Sequence, residues 1–582
     1  MLRAHGWPAH GFVLAMVASF LAAGTADAQW QSDPDSNLAI ADRSGEQVLP
    51  KIATSPDGTT YVSWFDHSSG NYDVYLQRLS PSGIELWPHN GLLVSNHAQS
   101  SSLVEWDLIV DTAGNAVLVF TDTRGAGDLD VQAYKIGPAG QFLWGPDGIT
   151  LSASTDFEPS PRVTEATDGD FVFVWSRLPS VGDGKIMLQR LAPDGTRRYA
   201  LGGLAIAGDA NEDASFPAIV PSLAGSVIVA WVRDTSTFQS PRNIRARRFA
   251  PDGTPLWANH VPVFDAGSVP IAYQPKLMTD GAGGALVLWH RSAGNLFNSF
   301  VQRLAPDGTE IFAHNGAPVA TSNLNHLDPA LAFQPATGES FVFWNERNSA
   351  QSQWGIYAQK LTAIGSRAWG DNGLVLVPVN TTLKFLPRAV PVADGAAVFF
   401  GDEPTGQFNR DRVLGIRVDP NGNLVWGANP VVVSSHLSSK VRLPVTVDSN
   451  GVSRMVWEDN RSGEADVYGQ NVNLDGTLGA AVTAVEEGAA PGSSVLRLLA
   501  NRPNPFRDRT MIEIGRGGSS ASQVVISDVA GRIVRRLDAP AGEIVTWDGR
   551  SDARELLPSG VYFYRLLTPL GESRAQKAIL AR

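Results

Sequence analysis

The sequence predicts an all-β chain: an eight-bladed β-propeller with four strands per blade, followed by a small immunoglobulin-like β-sandwich. Three observations predict it. Aromatic anchors recur about every 56 residues, at Trp64, Phe120, Trp175, Trp231, Trp289, Trp344, Phe400 and Trp457. Each anchor ends an apolar segment flanked by Gly and Pro turns, and no stretch shows helical periodicity. The repeat then stops at an Ala/Gly/Pro/Ser run, residues 484–494, which reads as a linker to a different set of short segments. A fixed period of this length marks an array whose units bury their apolar faces only against neighbours. Four short strands per unit suit a propeller blade.

The chain opens with Arg3, an apolar stretch from Phe12 to Ala23 and the small-x-small site Ala26-Asp27-Ala28. That order reads as a signal peptide over residues 1–28, cleaved after Ala28. The stretch is shorter than the about 20 residues that span a bilayer. No other stretch approaches that length, so the mature chain is expected to lack a transmembrane segment. Cys is absent, which excludes disulfides, thiolate metal sites and a Cys nucleophile.

Within a unit, strand a follows a Pro, as in Pro50-Lys51-Ile52-Ala53, Pro217-Ala218-Ile219-Val220 and Pro275-Lys276-Leu277-Met278. An Asp-Gly turn such as Asp57-Gly58 leads into strand b, because a tight hairpin needs a residue that accepts positive φ. Strand c alternates, as in Asp73-Val74-Tyr75-Leu76-Gln77-Arg78-Leu79, and ends at a Pro-x-Gly turn such as Pro81-Ser82-Gly83. Strand d follows a second aromatic, seen at Trp87 and Trp369. The eighth unit ends at Asp475-Gly476 without such a strand. Trp30 and Leu38-Ala39-Ile40-Ala41, conversely, form a strand d with no blade of their own. The N-terminal strand is therefore expected to complete the last blade and remove an exposed edge, with Ala480 to Val485 as the alternative. The propeller is bounded at residues 29–483.

Twelve of the 16 Trp occupy the two anchor positions. A residue that recurs in every blade reads as packing between blades before it reads as a sugar platform. Gln77, Gln189, Gln302, Gln359 and Gln470 recur in strand c and read as interstrand amides. The a–b and c–d turns are short and uniform, whereas the b–c and d–a loops on the opposite face vary. Recognition is expected on that variable face and in its central funnel.

Two b–c loops are acidic. Asp122, Asp128 and Asp130 surround one Gly turn, and Asp459, Glu464 and Asp466 another. Carboxylates on a short turn suit Ca²⁺; hairpin capping and pairing with Arg124 or Arg461 is the competing expectation. No other cofactor is implied. These loops resemble, in residues only, the Asp-x-Arg-x-Gly hairpin of TolB-like periplasmic propellers. No His-Glu-x-x-His, Gly-x-Ser-x-Gly or phosphate-binding Gly loop occurs, so catalysis has no local signature. The net charge of −12 divides into +5 on residues 495–582 and −17 on the rest, which argues against nucleic acid as a partner. The expected function is a non-catalytic binding module for a protein or glycan. The alternative is an extracellular carbohydrate-active hydrolase or lyase whose carboxylates face each other across the funnel, about 5–10 Å apart.

Residues 495–582 carry Asn501-Arg502-Pro503-Asn504-Pro505-Phe506, then Ile526-Ser527-Asp528-Val529-Ala530-Gly531-Arg532 and Trp547-Asp548-Gly549. Ser559-Gly560-Val561-Tyr562 and Lys577-Ala578-Ile579-Leu580 follow. In content and order this module resembles the type A C-terminal sorting domain of the type IX secretion system. Its Trp-Asp-Gly stretch is also similar to the immunoglobulin-like domain of flagellar hook-capping proteins. The resemblance implies a small sandwich recognised by outer-membrane secretion machinery, and an address outside a bacterial cell or on its outer-membrane surface. It rests on Pro503, Asn504, Pro505, Phe506, Asp528, Gly531, Trp547, Asp548, Gly549, Gly560, Tyr562 and Lys577.

Overall fold

The computed structural model of the protein describes residues 29–97, 105–124, 129–208, 211–235, 240–271, 274–294, 296–480, 501, 503–513, 523–529, 532–538, 544–568, 571–572 and 576–582. Their regular structure is strand throughout, apart from a short 3-10 turn at Leu223–Gly225. The chain divides into two compact units at residues 481 and 482. The linker expected at 484–494 and the signal peptide lie outside the described residues.

The described residues of the first unit form eight antiparallel sheets, seven of them the strands a–d of one repeat. Blade 1 runs Gln47–Thr54, Thr60–Asp66, Asp73–Leu79 and Leu92–Ser95, and the next six blades follow the same order. Blade 8 contributes Val445–Val447, Ser453–Asp459 and Asp466–Val472 and takes its outermost strand from the N-terminus, Leu38–Ala41. Leu38 pairs with Gly469 and Ala39 with Tyr468. The eight-bladed propeller closed by its N-terminal strand is thus the fold the repeat predicted. Most of the alternative closing segment, 481–485, lies outside the described residues.

The anchors explain why the units need one another. Trp64, Trp175, Trp289, Trp344 and Trp457 are fully buried in the clusters between sheets. The second aromatic reaches further. The indoles of Trp30, Trp87, Trp144 and Trp257 donate to the carbonyls of Pro81, Pro138, Pro193 and Pro306, each in the Pro-x-Gly turn of the following blade, at 2.9–3.3 Å. Tyr199 does the same to Pro251 at 2.6 Å. The turn glycine makes room: a Cβ on Gly83 would sit 2.7 Å from Trp30 Cγ. Trp30 therefore bolts blade 8 to blade 1 by the joint used elsewhere in the ring.

The strand-c glutamines are clamps. Gln302 Nε2 donates to Ala313 O at 3.0 Å while its Oε1 accepts from Arg303 N and Phe312 N at 2.9 and 3.1 Å. Gln359 and Gln77 bond in the same way.

The described residues of the second unit form two sheets, one of two strands and one of five. Both contribute to one core around Trp547, Ile526, Tyr564 and Leu580, which is the expected sandwich arrangement.

Candidate functional site

The innermost strands leave a central cavity of about 590 Å³, and every blade contributes to its lining. The backbone around it is unusual. Leu49, Ser160, Phe216, Asp328, Leu386 and Arg442 all take left-handed φ, between 50° and 61°. Five of them directly precede a Pro, at 50, 161, 217, 329 and 387. In blades 1, 4, 6 and 7 this coincides with a break in register between strands a and b. Bulky residues avoid this region, at a cost of about 1–3 kcal/mol each. Such bulges re-aim the side chains that follow them.

Those side chains line the cavity. Lys51, Arg162, Lys276 and Arg388 each stand immediately after a strand-a Pro, and Arg442 joins them from blade 8. Against five cations the lining holds two carboxylates, Glu105 and Asp107, both on the wall of blade 2. Glu105 Oε2 lies 3.5 Å from Lys51 Nζ and 3.3 Å from Arg162 Nη2. Burial works against its charge, but Lys51 and Arg162 outweigh burial and hold its carboxyl below the usual range. Asp107 accepts the backbone N–H groups of Leu108 and Val163 at 3.0 and 3.2 Å, and burial pushes its pKa up. Lys276 remains open to the lumen. Desolvation by the enclosing ring, reinforced by Arg388 and opposed by Asp328, lowers its ammonium pKa to about 7, and it donates to Pro329 O at 2.7 Å. An acidic propeller thus encloses a basic channel.

The acidic loops are engaged elsewhere. Asp122 takes Arg124 Nε at 2.9 Å. Asp459 accepts from Trp457 Nε1, Arg461 Nη2 and Ser438 Oγ at 2.9, 2.7 and 2.5 Å. Burial opposes its charge, yet Arg461 and Lys440 hold its pKa at about 2. Glu464 accepts Gly45 N–H at 2.6 Å, tying the loop to the N-terminal segment. Asp466 accepts the Ser462 hydroxyl. Asp130 pairs with Asp122 across the hairpin, and Asp128 lies outside the described residues. Arg461 also lies 4.0 Å over the Tyr468 ring. Among the described residues no group of three or more His, Cys, Asp or Glu is placed to hold a metal ion. The arrangement present is a chain of indole, carboxylate, guanidinium and phenol.

In the second unit the structure brings most of the sorting motif together. Asn504 donates to Lys577 O and accepts from Ile579 N, at 2.9 and 2.8 Å. Phe506 exchanges backbone bonds with Ile579 and Ala581. Trp547 packs between Phe506 and Tyr562, with ring centroids at 5.2 and 5.3 Å. Gly549, at φ 66, sits against Leu580, and Gly560 pairs with Leu580. Pro503 O accepts the Thr510 hydroxyl at 2.8 Å, and Pro505 follows the cis peptide at Asn504. Asp548 caps its turn through Arg550 N. Asp528 pairs with Tyr562 across the sheet and accepts from Arg532 Nε, and Gly531 lies outside the described residues. The motif seats the last strand.

The channel cations are absent from the sequence-level candidates. Their signal was a basic residue after the strand-a Pro in Pro50-Lys51, Pro161-Arg162, Pro275-Lys276 and Pro387-Arg388.

No protein-family model and no curated protein matches the chain. Solved structures align with it at low similarity. PorZ, a surface component of the type-IX secretion system of Porphyromonas gingivalis, is 13% identical over 92% of this chain and 70% of its own, with a TM-score of 0.36. The polysaccharide lyase Uly1 is 12% identical over 77% and 98%, with a TM-score of 0.39. An endo-arabinase from Bacteroides thetaiotaomicron is 12% identical over 64% and 94%, with a TM-score of 0.29. The blade architecture itself rests on the sheets described above. No helix among the described residues is long and apolar enough to cross a membrane.

Proposed function

We propose that this is a secreted or surface-displayed bacterial binding protein whose propeller holds a protein or glycan ligand without catalysis. Its C-terminal module serves as the export signal read by outer-membrane machinery. One observation carries the binding reading: the channel is a preformed concave site whose carboxylates are already committed. Glycoside hydrolysis by two carboxyl groups needs them on opposite sides of the bond, whereas Glu105 and Asp107 share one wall. A rigid scaffold with a polar cavity is the usual form of a ligand site. The test is a glycan and protein array probed with the chain from Gln29 onward. Selective, saturable capture without turnover supports the reading. Cleavage of a captured glycan would replace it with the enzymatic alternative.

The export reading rests on the motif order in residues 495–582 and on its convergence at the last strand. A reporter with a Sec signal and this segment should reach the surface of a host that has the type IX machinery. Removal of Lys577 to Arg582 takes away the strand that Asn504 and Phe506 hold, and should leave the reporter in the periplasm. Surface display that survives the deletion would refute the role.

A further inference from the structure

The channel cations are ordered by blade. Lys51 pairs with Ser63, Arg162 with Val174, Lys276 with Leu288 and Arg388 with Phe399. Each partner is the residue just before a strand-b anchor, Trp64, Trp175, Trp289 or Phe400. The four basic residues therefore occupy one level of the channel. They come from blades 1, 3, 5 and 7, so alternate blades of a closed ring of eight present a cation about every quarter turn. The same level in blades 2, 4 and 6 carries Asp107, Ala218 and Ala330, opposite Val119, Ala230 and Phe343. In blade 8 the innermost strand is interrupted between Val441 and Val445. One side of the ring is partly neutralised by Glu105, which pairs with Lys51 and Arg162. On the other side Lys276 donates to Pro329 O and feels the carboxylate of Asp328, and Arg388 donates to Pro387 O.

From this ring we infer that the channel recognises an acidic oligosaccharide, one whose sugar units carry carboxylate or sulfate groups. The inference rests on the binding-module reading above and names its ligand class. Guanidinium groups bind planar oxyanions in a fixed fork, and an ammonium adds a point charge. Across blades 4, 5 and 6 the lining beside the basic residues is apolar, with Ala218, Leu277 and Leu331. A charged sugar matches that alternation, because its oxyanion projects from one edge while a C–H face remains for the apolar wall. An extended acidic peptide would instead bring backbone N–H and C=O groups against apolar side chains that cannot partner them. The bland alternative is that the cations only brace adjacent blades, as Lys276 does through Pro329 O.

Calorimetry on the chain from Gln29 onward separates these. The probes are a uronic-acid tetrasaccharide, its carboxyl-reduced neutral counterpart and an oligoglutamate of matching charge, each at low and physiological ionic strength. The uronate probe should bind, more weakly as salt rises, and at least about tenfold tighter than the neutral probe. Lys276→Gln and Arg388→Gln should each weaken it about tenfold and Arg388→Lys less, with melting temperatures checked for each. Lys185→Gln, exposed on strand c of blade 3, should change nothing. Equal binding of charged and neutral probes, or unchanged binding by both Gln variants, overturns the inference but leaves a glycan-binding module standing. Preference for oligoglutamate assigns the channel to acidic peptides and also overturns it. Absence of binding by every probe overturns it too, and a blank array would then remove the broader reading.

Discussion

The anchor tryptophans offer a paired test of what holds the blades together. Trp457 and Trp289 occupy the same place in blades 8 and 5, and both are fully buried. Trp457 Nε1 donates to Asp459 Oδ2 at 2.9 Å. Trp64 and Trp344 likewise donate to the acid two residues on, Asp66 and Glu346. In blade 5 that position is Arg291, and the Trp289 indole N–H has no hydrogen-bond partner among the described residues. Replacing indole by phenyl should cost about 1–2 kcal/mol at either site, roughly half of a full aromatic truncation. Trp457→Phe also loses a bond to a charged acceptor, about 1.5–3 kcal/mol. Trp289→Phe instead removes an unsatisfied buried donor, recovering about 1–3 kcal/mol. The expectation is a loss of about 2.5–5 kcal/mol for Trp457→Phe and, for Trp289→Phe, an outcome between a gain of about 2 and a loss of about 1 kcal/mol. Both are read from denaturant midpoints at constant slope. Costs that agree within about 0.5 kcal/mol would show that the indole partner contributes nothing and that volume alone sets the anchor's value.

Three further outcomes are expected. Gly83→Ala and Gly70→Ala both place a side chain at positive φ, 87° and 89°, but only Gly83 faces an obstacle, Trp30, while Gly70 has nothing within 4 Å. Gly70→Ala should cost about 1–2 kcal/mol and Gly83→Ala clearly more, with loosened ring closure; equal costs would deny Trp30 its bolting role. Burial raises the Glu346 pKa to about 7 and lowers that of His326, 3.5 Å away, to about 4. Glu346 therefore contributes stability below its unfolded value near 4.5 and loses it as pH rises through about 7. His326 contributes above its unfolded value of 6.5 and loses it as pH falls through about 4. Glu346→Gln removes only the first titration, so its stability relative to the parent should climb from about pH 4.5 to above pH 7, by up to about 3 kcal/mol; a flat difference would refute the assignment. Millimolar Ca²⁺ should leave the melting temperature unchanged, since Asp122 and Asp459 already hold arginines. A rise that Asp466→Asn abolishes would restore a metal site at the loop.

What could be seen in the sequence depended on whether a residue's meaning is local. The blade was legible because its cues are close together: Asp-Gly before strand b, Pro-x-Gly after strand c, an aromatic at fixed spacing. Ring closure was legible because Leu38–Ala41 had no blade and the last blade lacked a strand. The acidic loops were harder. Asp122 and Asp459 look like ligands when read beside Asp130 and Asp466, and like anchors only when the residue two before each is seen to be buried aromatic. The channel was hidden for a different reason. Lys51, Arg162, Lys276 and Arg388 are more than 50 residues apart in neighbouring pairs, and each alone is an ordinary basic residue after a Pro. They become a site only because the repeats place them at one level, and their alternation appears only once the blades are numbered around the axis. A repeat aligned strand by strand, rather than anchor by anchor, would have exposed it: conserved geometry with varying chemistry at one position is where a propeller distinguishes its ligand from its own packing.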